Sequence, residues 1–153
     1  MFRKYTPDEN HKVKGLSTKL KDRQEKIQKV IAELAEASAR GKPIIVEGKK
    51  DQQALSILGI NGAVLTVKTG GKSFLEAIAE IEALGVCDVI LLLDFDRRGK
   101  EGTRRLQQGL ERAKIKANNS FWLDLKALTG KDIGCIESLP SYLSTIQKKV
   151  GSQ

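Results

Sequence analysis

The chain is poor in the residues that many chemistries need. Its 153 residues include a single histidine, His11, and only two cysteines, Cys87 and Cys135. The cysteines are far apart in sequence, lie in apolar surroundings and have no Cys or His at metal-ligand spacing. That argues against a zinc site and for buried, reduced thiols. His11 sits in a polar leader and reads as a solvated surface group rather than a catalytic base. Aromatic residues number only four Phe, two Tyr and one Trp. Base stacking is therefore poorly supported, and recognition of shape or backbone fits better. No apolar run approaches the ~18 residues of a spanning helix, and the charged start M-F-R-K-Y-T-P-D-E-N has no signal-peptide core. A cytoplasmic protein with one substantial core is expected.

Against this background two runs stand out, I-I-V-E-G-K-K-D from Ile44 and V-I-L-L-L-D-F-D-R-R-G from Val89. Each ends a short β-branched or apolar stretch with carboxylates and glycine. Such stretches read as strands buried on both faces of a parallel sheet, and those sheets bind ligands at the carboxyl ends of their strands. Glu47 and Asp94 are thus expected to meet at one edge. Asp94 and Asp96 are two residues apart, so in extended backbone both project one way while Phe95 points to the other face. Carboxylates crowded together raise one another's pKa, and a hard cation such as Mg²⁺ reverses that cost. A lone acid would more simply be a polar strand end.

The pattern along the chain predicts strands over 43–47, 63–67, 87–94 and 119–125, alternating with helices over 50–58, 72–84, 100–114 and 138–148. That alternation implies an α/β fold with a largely parallel four-stranded sheet between helices. An N-terminal extension precedes it. Residues 1–15 are expected to be a flexible basic arm, 16–42 an amphipathic leader helix, and 43–153 the domain. In the leader, Leu20, Ile27, Val30, Ile31 and Leu34 share one stripe, with Lys19, Lys26 and Lys29 elsewhere; Ser17 or Thr18 would cap its start and Gly41 with Pro43 would stop it. The stripe must be buried against the domain, a partner or a second copy, which leaves a homodimer open.

Net charge is +8, and residues 1–42 carry most of it, with 11 Lys and Arg against 6 Asp and Glu. Within the domain, Arg97, Arg98 and Lys100 follow the acids directly, and Arg98, Arg105 and Arg112 recur at helical spacing as a basic rail. Such a rail suits a nucleic-acid backbone, although a solvated helix face would look the same. Lys49, Lys50 and Lys72 lie in loops expected at the acid edge, where they could hold phosphates. Gly48 is expected to turn the backbone sharply into a helix whose N-terminus faces that edge. Asp51 either orients this loop or simply favours the first helical turn.

Taken together, V46-E47-G48-K49-K50-D51, T69-G70-G71-K72-S73, D94-x-D96 and K131-D132-I133-G134-C135-I136-E137 resemble the Toprim family, the domain shared by primases, topoisomerases and small nucleases. Glu47-Gly48 falls where that family has Glu-Gly after its first strand, and Asp94-x-Asp96 where it has Asp-x-Asp after its third. The nearest likeness is to the ribonucleases that mature 5S ribosomal RNA and to small stand-alone archaeal Toprim proteins. Type IA topoisomerases carry a further acid where this chain has Arg98 and need a nucleophilic tyrosine in another domain; the tyrosines here are Tyr5 and Tyr142. Primases need a longer chain. Haloacid-dehalogenase phosphatases usually place Asp-x-Asp on their first strand and Thr or Val at the position of Arg98.

The resemblance implies Mg²⁺-dependent hydrolysis of phosphodiester bonds, with Mn²⁺ as a substitute and RNA favoured over DNA. Glu47, Asp94 and Asp96 would bind one or two ions, with Glu47 alternatively a general base. The likeness to the RNA-maturing enzymes extends this to Asp132 and Glu137, which otherwise read as a loop acid and part of a helix start. The competing expectation is a non-enzymatic module that binds nucleic acid, the ribosome or another ribonucleoprotein.

Overall fold

Four short strands, Ile44–Val46 (β1), Val64–Thr66 (β2), Asp88–Leu91 (β3) and Lys116–Asn118 (β4), pair in parallel in the order β2-β1-β3-β4 in the computed structural model, which describes residues 9–68 and 73–151. The two central strands are apolar on both faces because both faces are covered. Ile44, Ile45, Val46 and every residue from Val89 to Leu93 are at most 1% exposed. Alternate residues divide between two cores. Ile45, Val89, Leu91 and Leu93 meet helices Phe74–Ala83 (α3) and Arg97–Arg112 (α4) on one face. Ile44, Val46, Ile90 and Leu92 meet helices Glu9–Ala39 (α1), Lys49–Ile57 (α2), Ser120–Thr129 (α5) and Leu139–Gly151 (α6) on the other. The expected parallel sheet between helices, with an N-terminal helix, is the observed fold.

The fourth strand is not where the sequence pattern put it. Residues 119–125 form the start of α5, and β4 is the preceding Lys116–Asn118. A short apolar run such as Phe121–Leu123 has no period that separates strand from helix. Here Asn118 Oδ1 accepts the Ser120 N–H at 2.7 Å and turns the chain, and Trp122, Leu125 and Thr129 then bury one helical face. β4 pairs only with β3, and its sole buried residue is Ala117, so hydropathy gave it little signal.

α1 is also longer than expected. It begins at Glu9 rather than near Ser17, so residues 9–15, assigned to a flexible arm, are helical in backbone. Ser17 and Thr18 are therefore interior rather than caps; residues 1–8 lie outside the described residues. At its other end Gly41 adopts φ +94, a left-handed turn that closes the helix with Lys42 N–H donating to Ala37 O. Ile27, Val30 and Leu34 are buried and Leu20 and Ile31 half-buried, against α5 and α6. Burying each such side chain contributes on the order of 2 kcal/mol. The leader thus docks on its own domain. Among the described residues no helix is long and apolar enough to cross a membrane. One core expectation fails: Cys87 is exposed, because it precedes β3 and its buried run, whereas Cys135 is half-buried.

Candidate metal centre

The strand order creates the site. From β1 the chain winds outward to β2, then crosses back to β3 on β1's other side, so the winding reverses between β1 and β3. These two are paired in register, Ile44 opposite Ile90 and Ile45 opposite Leu91. A sheet leaves a crevice beyond the carboxyl ends of its strands at such a reversal. Glu47 follows β1 immediately, and the backbone after β3, still bonded to β1 through Leu92 N–H to Ile45 O at 2.8 Å, delivers Asp94.

The crevice is electrostatically unsatisfied. The Glu47 side chain is 8% exposed and meets Lys68 Nζ as an ion pair. The contact is made at Oε2, so Lys68 is the counter-charge of that buried oxygen. Asp94 is pushed up to about 7, first by burial and then by Glu47, Asp51 and Asp96, with Lys68 offsetting only part. Asp96 is exposed and caps α4, its Oδ1 accepting the Gly99 N–H at 2.7 Å. Phe95 turns away, 6% exposed, into the opposite core beside Trp122. Trp122 Nε1 donates to Leu93 O at 2.9 Å and to Asp94 O at 3.2 Å, which fixes the acid-bearing backbone.

The glycine that matters here is Gly99 rather than Gly48. A Cβ on Gly99 would lie 1.9 Å from Asp94 O, so α4's first turn rests directly on that carbonyl. Gly48 has ordinary extended backbone, φ −149, and open space where a Cβ would go. The chain does turn into α2 at this residue, as expected, but the turn makes no use of a glycine's freedom. The loop is set instead by buried Asp51, whose Oδ2 accepts the Gly48 N–H at 3.2 Å while its Oδ1 accepts the Glu137 N–H at 2.9 Å. Burial raises the Asp51 pKa despite both bonds.

The other acids divide. Asp51, Cys135 and exposed Glu137 are the one group of three among the described residues whose ligating atoms lie within 4.8 Å of one another. Glu47, Asp94 and Asp96 are more widely spread than that. Both Asp51 oxygens already accept backbone N–H groups, so this trio chiefly ties α2 to the 3-10 turn Ile136–Ser138. Asp132 lies at the α1–α6 junction, where Arg23 pairs with it at 3.3 Å and Tyr142 Oη donates to it at 2.7 Å.

Basic residues crowd the crevice. Lys68, Arg97, Arg98 and Arg105 line a cavity of about 570 Å³ with Glu47 and Phe74. The Arg105 guanidinium lies 4.8 Å from the centre of the Phe74 ring. Lys100 lines a second cavity, of about 430 Å³, that also takes in Arg104 and Trp122. Lys49 and Lys50 are exposed on the first turn of α2, and Arg112 is exposed in the last turn of α4, outside the larger cavity. Lys72 lies outside the described residues. Sequence reasoning missed Lys68 and Phe74. The available signal was that Lys68 closes V64-L65-T66-V67-K68, the strand segment beside β1.

An α/β domain that gathers acids at the reversal of a parallel sheet and surrounds them with Lys and Arg is suited to a divalent cation and a phosphate. A Toprim domain profile matches residues 41–119, and the chain belongs to the Toprim family. It is similar to a UPF0292 protein of Methanosarcina acetivorans, 36% identical over 130 residues that cover 84% of this chain and 88% of the relative. It is likewise similar to a UPF0292 protein of Methanocaldococcus jannaschii, 38% identical over 121 residues covering 78% and 91%. A solved structure of a protein from Aquifex aeolicus superposes with a TM-score of 0.60 at 31% identity, over 72% of this chain and 94% of that one. The chain is thus a small Toprim protein with archaeal relatives, and Toprim domains as a class bind divalent metal and act in association with nucleic acid.

Proposed function

We propose that this protein is a metal-dependent nuclease that hydrolyses phosphodiester bonds in nucleic acid, RNA in preference to DNA. The observation that carries it is the acid cluster at the crevice: Asp94 is pushed up to about 7 by burial and by Glu47, Asp51 and Asp96, and Lys68, paired with Glu47, offsets only part of this. Crowding carboxylates costs free energy that a bound cation would return, so these oxygen donors suit a hard ion in their chemistry, and holding one would draw the three acids closer than they stand. Glu47 and Asp94 would hold Mg²⁺, with Mn²⁺ as a substitute, and exposed Asp96 would join them through the oxygen that does not cap α4. When bound, the ion lowers the pKa of water and offsets charge on the scissile phosphate. The chain's own residues do the rest. Lys68, Arg97 and Arg98 hold the phosphate and stabilise its developing charge. Asp51 and Gly99 fix the two acid-bearing loops. If Glu47 is not a ligand, it would instead take a proton from the attacking water.

The Lys68–Glu47 pair favours a second reading, because an ammonium already neutralises one acid. In that reading the protein is a non-enzymatic module docking on RNA or the ribosome. A turnover assay on structured RNA, single-stranded RNA and DNA, each with Mg²⁺, Mn²⁺ or EDTA, separates the two. The nuclease reading expects cleavage with either metal and none in EDTA. Tight RNA binding without cleavage of any substrate selects the module.

A further inference from the structure

The cavity beside Glu47 is larger than a metal centre needs. Its volume, about 570 Å³, is that of a pocket for a small organic molecule. Four cations line it, and Glu101, the second acid in its wall, is exposed and paired with Arg104 at 3.0 Å. Arg105 is pre-oriented there by the face of Phe74. The wall between α3 and α4 is tight: a Cβ on Gly102 would come within 3.0 Å of Leu93 Cδ2 and 3.3 Å of the Phe74 ring.

We infer that this cavity is a nucleotide subsite that takes one unpaired, splayed-out nucleotide next to the scissile phosphate, so that the substrate is single-stranded at the cleavage position. The inference rests on the nuclease reading and names its substrate class. A pocket of this size admits one nucleotide, whereas a base held in a duplex stays stacked and paired and reaches such a site only by extrusion. Arg98 and Arg105 hold the nucleotide's phosphate as paired donors. Phe74 is a positioning residue: its ring occupies one face of the Arg105 guanidinium and keeps the donors turned towards the cavity.

The test is equilibrium binding of the full chain, in EDTA, to a fluorescent single-stranded RNA and to a blunt duplex of the same sequence. Circular dichroism checks that each variant folds. Wild type is expected to bind the single strand at least about tenfold more tightly. Arg105→Ala should weaken single-strand binding about tenfold, the scale of one good phosphate contact, and leave the duplex unchanged. Phe74→Leu should cost about threefold alone and nothing further in the Arg105→Ala background, because it acts through Arg105. Arg112→Ala, outside the cavity, should weaken both ligands alike. Equal affinity of wild type for both RNAs, or an equal loss of both in Arg105→Ala, overturns the subsite while the nuclease reading stands. No binding to either RNA overturns both.

Discussion

Two acid-bearing regions of this molecule face basic partners, and they differ in how completely those partners satisfy them. On the α1–α6 flank, Asp132 accepts from Arg23 and Tyr142, and buried Gln24 donates to Gln147. In the crevice between β1 and β3, Lys68 pairs with Glu47, but Asp94 is raised to about 7 by burial and three neighbouring acids, which Lys68 offsets only in part. The flank is a finished joint that holds a helix on the domain. The crevice keeps carboxylate repulsion that Lys68 offsets only in part and that a proton or a bound cation would relieve, which is the electrostatic signature expected of a binding site rather than of a structural contact.

The comparison breaks most sharply at Asp94. Replacing it by Asn should lower cleavage at least about a hundredfold, since metal binding and charge stabilisation are lost together. RNA affinity should persist or rise, because one negative charge leaves a site that receives phosphate. Single-turnover cleavage alongside calorimetric Mg²⁺ titration measures both. Glu47→Gln should act similarly if Glu47 is a ligand, and should slow turnover with little loss of metal affinity if it is the base. Unchanged cleavage in Asp94→Asn would remove the crevice from the chemistry.

Gly99→Ala tests whether the crevice depends on α4 pressing on Asp94 O. The added Cβ meets backbone rather than a side chain that can swing away, so a cost of about 3 kcal/mol is expected. That corresponds to a melting temperature lower by roughly 10 °C. Gly48→Ala, where a Cβ meets open space, should shift it by about 1 °C or less. Comparable losses at both glycines would count against the close approach.

That pair of glycines also shows what was legible in sequence. Glu47, Asp94 and their shared edge could be read because a buried parallel strand must be apolar throughout and must stop at its first charge, as I-I-V-E and L-L-L-D do. The sheet between helices followed from the same rule. Gly99 was visible as the glycine closing the acid run, but its close approach to Asp94 O five residues back was not, because it depends on how the chain folds from β3 into α4, whereas Gly48 looked important only through its place after a strand. β4 escaped because it has one buried residue and a polar composition. Asp51 was visible as an N-terminal helix acid, but its bond to Glu137 N–H spans 86 residues. Lys68 and Phe74 flank residues 69–72, and only the packing of α3 on α4 brings Phe74 to Arg105.

The crevice should also reveal itself in pH dependence without any substrate. Asp94 has a folded pKa of about 7 against an ordinary 3.8. Between those values the folded state keeps a proton that the unfolded state has lost. Stability therefore falls as pH rises from about 4 to about 7 and levels off above that. Solvent screening of this partly exposed group limits the effect to on the order of 1 kcal/mol. Thermal melts of metal-free protein at pH 5 and pH 8 should show the decline, Asp94→Asn should flatten it, and Mg²⁺ should raise stability more at pH 8. A profile unchanged by Asp94→Asn would place the strain elsewhere.

The smallest effect is expected on the satisfied side. The Arg23–Asp132 pair is exposed, 43% and 47% for the two side chains, so water competes for both charges. Asp132→Asn keeps an acceptor for Tyr142 and should cost at most about 1 kcal/mol, shrinking as salt is added. Mg²⁺ affinity and cleavage should stay within about twofold of wild type, because this acid is already committed to Arg23 and Tyr142. A tenfold fall in Mg²⁺ affinity, measured by calorimetry on a variant that melts normally, would show that Asp132 reaches the metal after all and that the flank and the crevice form one site.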